Sequence, residues 1–281
     1  MDYDQVFSPV IRFETVCLII SMAALENWVA YGLDVHNTYL YGKLDEEIYM
    51  EQPEGFSVPG KTGHVLCLWQ ALKQSMEELG FTSLASDAGV FYYRDEGSFI
   101  VTIIYVDDAI FCGPSKSLIL KLKEVFMKRW ETQDLGEVTE FLRMCITRDG
   151  SSIHLDQCTY LKTVLQQCRM QNAKSATTPL LARYVLKPSE EQANPERRSR
   201  FQTIIGSLLY LMLGTQPDIT FVVTKLAQYA SNPSEDHLSE ALYICCYLVG
   251  TQHYRLTYDG VSGQGISACT DSDWASDPLN H

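Results

Sequence analysis

The run Phe99-Ile100-Val101-Thr102-Ile103-Ile104 is apolar or β-branched on both faces, so it suits only a strand in the middle of a sheet that is covered above and below. Ser98 to Val106 is therefore read as a central strand. It is preceded across Asp95-Glu96-Gly97 by Val90 to Arg94 and followed by another apolar run, Ala109 to Cys112. Between the last two runs stand Asp107 and Asp108, which puts two carboxylates at the tip of a hairpin. Acids are common turn residues, and an isolated Asp-Asp pair is more often a surface turn than a metal site.

The remaining elements follow from periodicity and punctuation. Ser8-Pro9 caps a helical stripe through Phe13, Val16, Cys17, Ile20, Ala24 and Trp28. Residues 30–35 read as a short strand ending in an acid, 48–50 as another, and 68–79 as a short helix. A helix is expected over 115–130, a hairpin over 141–147 and 152–155, and a helix over 159–170. Residues 181–200, with Pro188 and Pro195, form a polar linker, followed by helices at 201–214, 218–231 and 235–250 and strand-like pieces at 255–258 and 266–270.

Asp34 closes the strand at 30–35, so a sheet can bring it to Asp107 and Asp108. Three such anions repel, by roughly 4 kcal/mol per pair at about 4 Å in an effective dielectric near 20, and need cations or protons beside them. Two magnesium ions, which prefer oxygen ligands, meet that need.

Charge argues in the other direction. The chain carries a formal net charge of −13, against the basic excess usual for a phosphate-binding surface. The acidity is concentrated early: residues 1–60 hold two basic side chains against ten acidic, whereas 116–174 hold ten against seven. Lys116, Lys121, Lys123, Lys128 and Arg129 form either a basic surface or, as is commoner, a solvated helix face. Nine cysteines without a CxxC pair indicate neither a disulfide framework nor a zinc ribbon, and Cys245-Cys246 reads as core filling. No apolar run approaches the ~18 residues of a membrane span and the first residues lack a signal-peptide pattern, so an intracellular protein without membrane partners is expected.

Ordered motifs then narrow the reading. Tyr105-Val106-Asp107-Asp108 between apolar strands, Leu33-Asp34-Val35, Phe7-Ser8-Pro9-Val10, Glu47 to Phe56, Asp134-Leu135-Gly136-Glu137, Ile205 to Tyr210, Pro217-Asp218-Ile219 and Asp271-Ser272-Asp273-Trp274-Ala275 occur in sequence. Together they resemble the reverse transcriptase domain of copia-type LTR retrotransposon Pol polyproteins. The resemblance implies an α+β fold: a palm of antiparallel sheet packed on helices with incomplete fingers over 1–180, a linker over 181–200, a helical thumb- or connection-like region over 201–260, and the first strand of a ribonuclease H-like domain over 261–281. It implies RNA-directed DNA polymerase activity with two Mg²⁺, or Mn²⁺ in their place, on an RNA template, a DNA primer and dNTPs, alongside other parts of Pol.

By the same resemblance Asp34, Asp107 and Asp108 are the metal-binding catalytic triad. Val35 adds a backbone oxygen, Tyr39 is the steric gate against a 2′-hydroxyl, and Lys73 and Gln74 lie near the incoming nucleotide. Outside the family pattern Tyr39 reads equally as a core aromatic, and Lys73 and Gln74 as helix-surface residues. Asp271 matches the leading ribonuclease H aspartate, but one carboxylate does not make a two-metal site.

The chain also departs from the family. It begins almost at Phe7-Ser8-Pro9-Val10, without the upstream basic hairpin. Met76-Glu77-Glu78 runs straight from Ser75 to Leu79-Gly80-Phe81 where the family has more than another helical turn, a loss expected to expose core. Arg143 replaces a glycine and Gln216 an arginine. The departures imply weak or absent turnover. The alternative is a non-catalytic remnant that binds nucleic acid or a partner.

Overall fold

The structure, a computed structural model, describes residues 11–35, 68–95, 97–180, 186–189 and 191–261. Strands β1 (Val29–Val35), β2 (Thr82–Leu84), β3 (Asp87–Asp95), β4 (Ser98–Tyr105), β5 (Asp108–Gly113) and β6 (Thr132–Glu137) form an antiparallel sheet in the order β2-β3-β4-β5-β1-β6. The apolar run expected to be central is β4, paired on both sides, with Ile103 opposite Val90 of β3 and Ile110 of β5. Both faces are covered. Leu33, Phe91, Ile100 and Phe111 pack against α2 (Leu68–Glu78) and α3 (Lys116–Arg129), while Val90, Val101, Ile103 and Ile110 pack against α1 (Phe13–Leu25) and a second sheet.

Strand β6 was not anticipated. Its residues are exposed or half-buried throughout, so it carries no hydrophobic alternation to read. It is a strand because β1 offers it a free edge; the register shifts at Gly32/Leu33, where a Cβ on Gly32 would stand 3.3 Å from Leu135 Cβ. The helix α1 also differs from expectation. Its sequence cap at Ser8-Pro9 lies outside the described residues, and Arg12 at the N-cap makes no side-chain cap bond. Asp87 of β3 caps the helix from across the fold: its Oδ2 accepts from the Arg12 N–H (3.2 Å) and the Thr15 hydroxyl (2.7 Å), and its Oδ1 accepts from the Gly89 N–H (3.2 Å). Asp87 is buried, so Asp87→Ala strands three donors and should lower the unfolding free energy by roughly 2 kcal/mol in urea denaturation. Trp28, expected on the helix, follows its end and is buried with its N–H bonded to the Ala23 carbonyl (2.9 Å).

The described core residues of α2 do not show the expected exposure. Leu72 and Met76 of α2 are 1% and 0% exposed. The chain reverses at Gly80 (φ 85°), and Phe81 is buried against Tyr93 and Phe111. The Trp130 indole donates to Ser75 Oγ (3.1 Å) and Arg129 pairs with Glu78, fastening α2 to the end of α3.

The second sheet is also antiparallel, with β7 (Glu140–Phe141), β8 (Met144–Asp149), β9 (Ser152–Asp156) and β10 (Leu256–Tyr258) in the order β10-β9-β8-β7. Beyond β9 the chain is helical: α4 (Cys158–Gln167), α5 (Pro195–Gly214), α6 (Thr220–Ala227) and α7 (Glu235–Gly250) share one core built on Leu165, Phe201, Leu208, Val223 and Ile244. The linker expected over 181–200 is shorter than read, because Asn194 caps α5 by accepting from the Arg197 N–H (2.7 Å) and Pro195 occupies its first turn. The helix expected over 218–231 is a 3₁₀ turn, Pro217–Ile219, followed by α6. Among the described residues no helix is long and apolar enough to cross a membrane.

Candidate functional site

Two strands meet where the hairpin reading placed the carboxylates. Tyr105 pairs with Asp108 across a two-residue turn, Val106-Asp107, that joins β4 to β5. Val106 takes φ 55°, a left-handed conformation that a β-branched side chain disfavours by about 1–3 kcal/mol. On the other side of β5, Asp34 is the register partner of Asp108, and the Val35 N–H donates to the Asp107 carbonyl (2.8 Å). Directly paired residues of antiparallel strands stand about 4.5–5.5 Å apart at Cα, so Asp34 and Asp108 are immediate neighbours, with Asp107 at the turn beside them.

The electrostatics record the crowding. Burial, then Asp107, Asp34 and Glu140 in that order, push the Asp108 carboxyl up to about 6. Asp108 is half-buried and Asp107 exposed, so the site opens to solvent on the turn side. Three hard oxygen donors suit magnesium rather than a soft metal. Among the described residues, however, no three His, Cys, Asp or Glu side chains are arranged closely enough to hold a metal ion as they stand.

Of the other expected site residues that are described, Val35 adjoins the aspartates, whereas Lys73 and Gln74 fall elsewhere. Val35 is buried and pairs with Thr132 of β6. Lys73 and Gln74 are exposed on α2 and engage their own helix, Lys73 Nζ 3.9 Å from Glu77 and the Gln74 amide donating to Glu78 (3.0 Å); no described contact joins them to the aspartates. Tyr39 and Asp271 lie outside the described residues.

Beside Asp108 opens a cleft of about 670 Å³, bounded also by Tyr105, Glu140, Arg143, Tyr160 and Tyr210. Its floor comes from the hairpin β7/β8. Phe141 pairs with Met144, and the two-residue turn between them has positive φ at both Leu142 (49°) and Arg143 (55°), the type I′ geometry. Tyr210 of α5 ties down that tip: its hydroxyl donates to the Leu142 carbonyl, and its ring meets Tyr160 (4.9 Å, 71°) and Phe13 (5.5 Å, 87°) edge-on. The sequence reading did not find Glu140, Tyr160 and Tyr210 as site residues. Tyr210 sat within a recognised motif, whereas nothing in the chain order announces that Glu140 and Tyr160 face Asp108.

The basic stretch on α3 is neither a free basic surface nor a wholly solvated face. Lys123 is 1% exposed and pairs with Asp134 (2.6 Å), its ammonium 5.2 Å from the Tyr31 ring centre. Lys116 lies 5.3 Å from the same ring on a long pair with Glu137, and Lys128 and Arg129 pair with Glu124 and Glu78. Acidic neighbours thus take up most of the positive charge on this helix.

The hairpin thus carries Tyr105-Val106-Asp107-Asp108 beside β1, whose penultimate residue is Asp34. The chain belongs to the reverse transcriptase (RNA-dependent DNA polymerase) family, whose pattern matches residues 1–182. It is similar to the retrovirus-related Pol polyprotein from transposon TNT 1-94 of Nicotiana tabacum, with 35% identity over 300 residues, 99% of this chain and 22% of that one. It is also similar to the retrovirus-related Pol polyproteins from transposons RE1 and RE2 of Arabidopsis thaliana, at 30% and 29% identity, each covering 99% of this chain and 20% of the relative. The chain spans about a fifth of the length of these curated relatives. The 300 aligned positions exceed the 281 residues of the chain, so the tobacco relative has residues that this chain lacks.

Proposed function

We propose that the chain is an RNA-directed DNA polymerase domain of a copia-type element, with a nucleotidyl-transfer site on Asp34, Asp107 and Asp108 and turnover well below that of an intact enzyme. The observation that supports the reading is the pairing of Asp34 with Asp108 and of Val35 with Asp107, which sets the backbones of three aspartates from two distant parts of the chain side by side. The large sheet with α1 to α3 acts as the palm and α4 to α7 as a thumb or connection. Asp34, Asp107 and Asp108 would hold the ions, with small rotations of the side chains and the Val35 carbonyl as a further oxygen. A bound pair of Mg²⁺, or Mn²⁺, would polarise a primer 3′-hydroxyl and neutralise the leaving pyrophosphate. The strained Val106 turn sets the backbone that carries Asp107 and Asp108, and the side-chain rotations complete the site.

Two observations support a second reading, a remnant that binds hybrid without extending it. Lys73 and Gln74 are engaged with Glu77 and Glu78, and α2 closes over the shortened segment with its core intact. One experiment separates the two: extension of a DNA primer on an RNA template with Mg²⁺ or Mn²⁺, run beside binding of the same hybrid. Metal-dependent extension that disappears in Asp107→Asn is expected for the polymerase. Salt-sensitive binding without extension, unchanged by that substitution, supports the remnant, and absence of both overturns each reading.

A further inference from the structure

The cleft beside Asp108 is acidic. Asp108, Glu137 and Glu140 all line it, and Arg143 brings the one positive charge among its described lining residues. Arg143 is exposed, and among the described residues no ion pair is recorded for it. Its charge reaches the cleft wall, where it opposes the upward push of burial on the Tyr210 hydroxyl.

The backbone makes this arginine unusual. Position 143 is the second central residue of a type I′ turn at φ 55°, where glycine or asparagine is relaxed and a long L side chain is not. Arginine is therefore unfavourable for the turn, and no described contact within the fold recovers the loss. The tip is nevertheless held in place, because the Leu142 carbonyl accepts from the Tyr210 hydroxyl and Phe141 is buried beneath it. A cation thus stands on a fixed support at the mouth of the carboxylate cleft.

We propose that Arg143 is a phosphate-binding residue of this cleft and takes a phosphodiester of the bound nucleic-acid strand. The inference rests on the proposed nucleic-acid function and adds a contact specific to this chain. A guanidinium offers several donors in a rigid fork that matches phosphate oxygens, and here it offsets the repulsion that Glu137 and Glu140 exert on the same group.

The test is fluorescence anisotropy of a labelled RNA/DNA hybrid with the full chain, over a series of salt concentrations with Mg²⁺ present. Arg143→Asn should weaken binding roughly tenfold and reduce the slope of log K against log salt by about one. Arg143→Gly should do the same while its melting temperature rises by about 2–4 °C, which separates lost contact from lost fold. Arg143→Lys should keep the slope. Wild-type affinity and slope in both the asparagine and glycine variants would overturn the assignment of Arg143 and leave the nucleic-acid reading standing. A wild-type chain that binds no hybrid removes both.

Discussion

Replacing Phe111 by alanine should lower the unfolding free energy by about 3–5 kcal/mol, read from the midpoint of urea denaturation. Phe111 is 0% exposed on β5, the strand that begins with Asp108. Its ring meets Phe81 (6.1 Å, 78°) and Phe126 (6.2 Å, 69°) edge-on, so it joins the strand to the segment after α2 and to α3. Alanine would leave a void bounded by rings that cannot move inward without breaking their own packing. Phe111→Leu should recover most of the loss. A cost below about 1 kcal/mol for the alanine variant would mean that the aromatic layer does not hold β5 in place.

Asp108→Asn should change activity and metal-free stability in opposite directions. In the proposed reading it removes a charged metal ligand without changing shape, and extension should fall on the order of 10³-fold or more. Stability follows from the raised carboxyl. A group whose folded pKa of about 6 lies above its ordinary value contributes stability that is complete below the ordinary value and is lost as pH rises through 6. Above that pH the wild-type chain holds an anion that burial, Asp107, Asp34 and Glu140 all oppose. Asparagine is free of that penalty, so the variant should gain on the wild type as pH rises from about 4 to about 6, and keep a constant advantage above that, in thermal melts without divalent ions. Added Mg²⁺ should narrow the gap by stabilising only the wild type. A difference between the two that stays flat with pH would show that the carboxylates do not crowd Asp108.

What the sequence disclosed depended on whether the cause was local. The run Phe99 to Ile104 carries its own burial on both faces, and the acids after it mark their own turn, so the hairpin and its convergence with Asp34 could be read residue by residue. β6 could not, because a polar edge strand exists only by virtue of the neighbour that it pairs with. The Asp87 cap depends on a partner 75 residues away in sequence, and Ser8-Pro9 offered a nearer candidate for the same duty. Lys123 was misread for a similar reason. A lysine on an amphipathic helix belongs at the surface unless an acid and an aromatic ring from other strands happen to enclose it, as Asp134 and Tyr31 do. The cleft lay furthest from view, since its walls come from β1, β4, β5, β6, β7, α4 and α5 and no stretch of chain contains more than a part of it.

The placement of β1 between β5 and β6 has a consequence for how the molecule is made. Synthesis delivers β1 early, yet both strands that flank it emerge only after most of the sheet has been translated. Until then the segment from Val29 to Val35 presents two unsatisfied edges and an apolar face to whatever else is nearby. The three aspartates therefore cannot meet until β5 has been made, and a nascent chain interrupted before residue 132, with one edge of β1 still open, should be a poor folder and a ready substrate for chaperones.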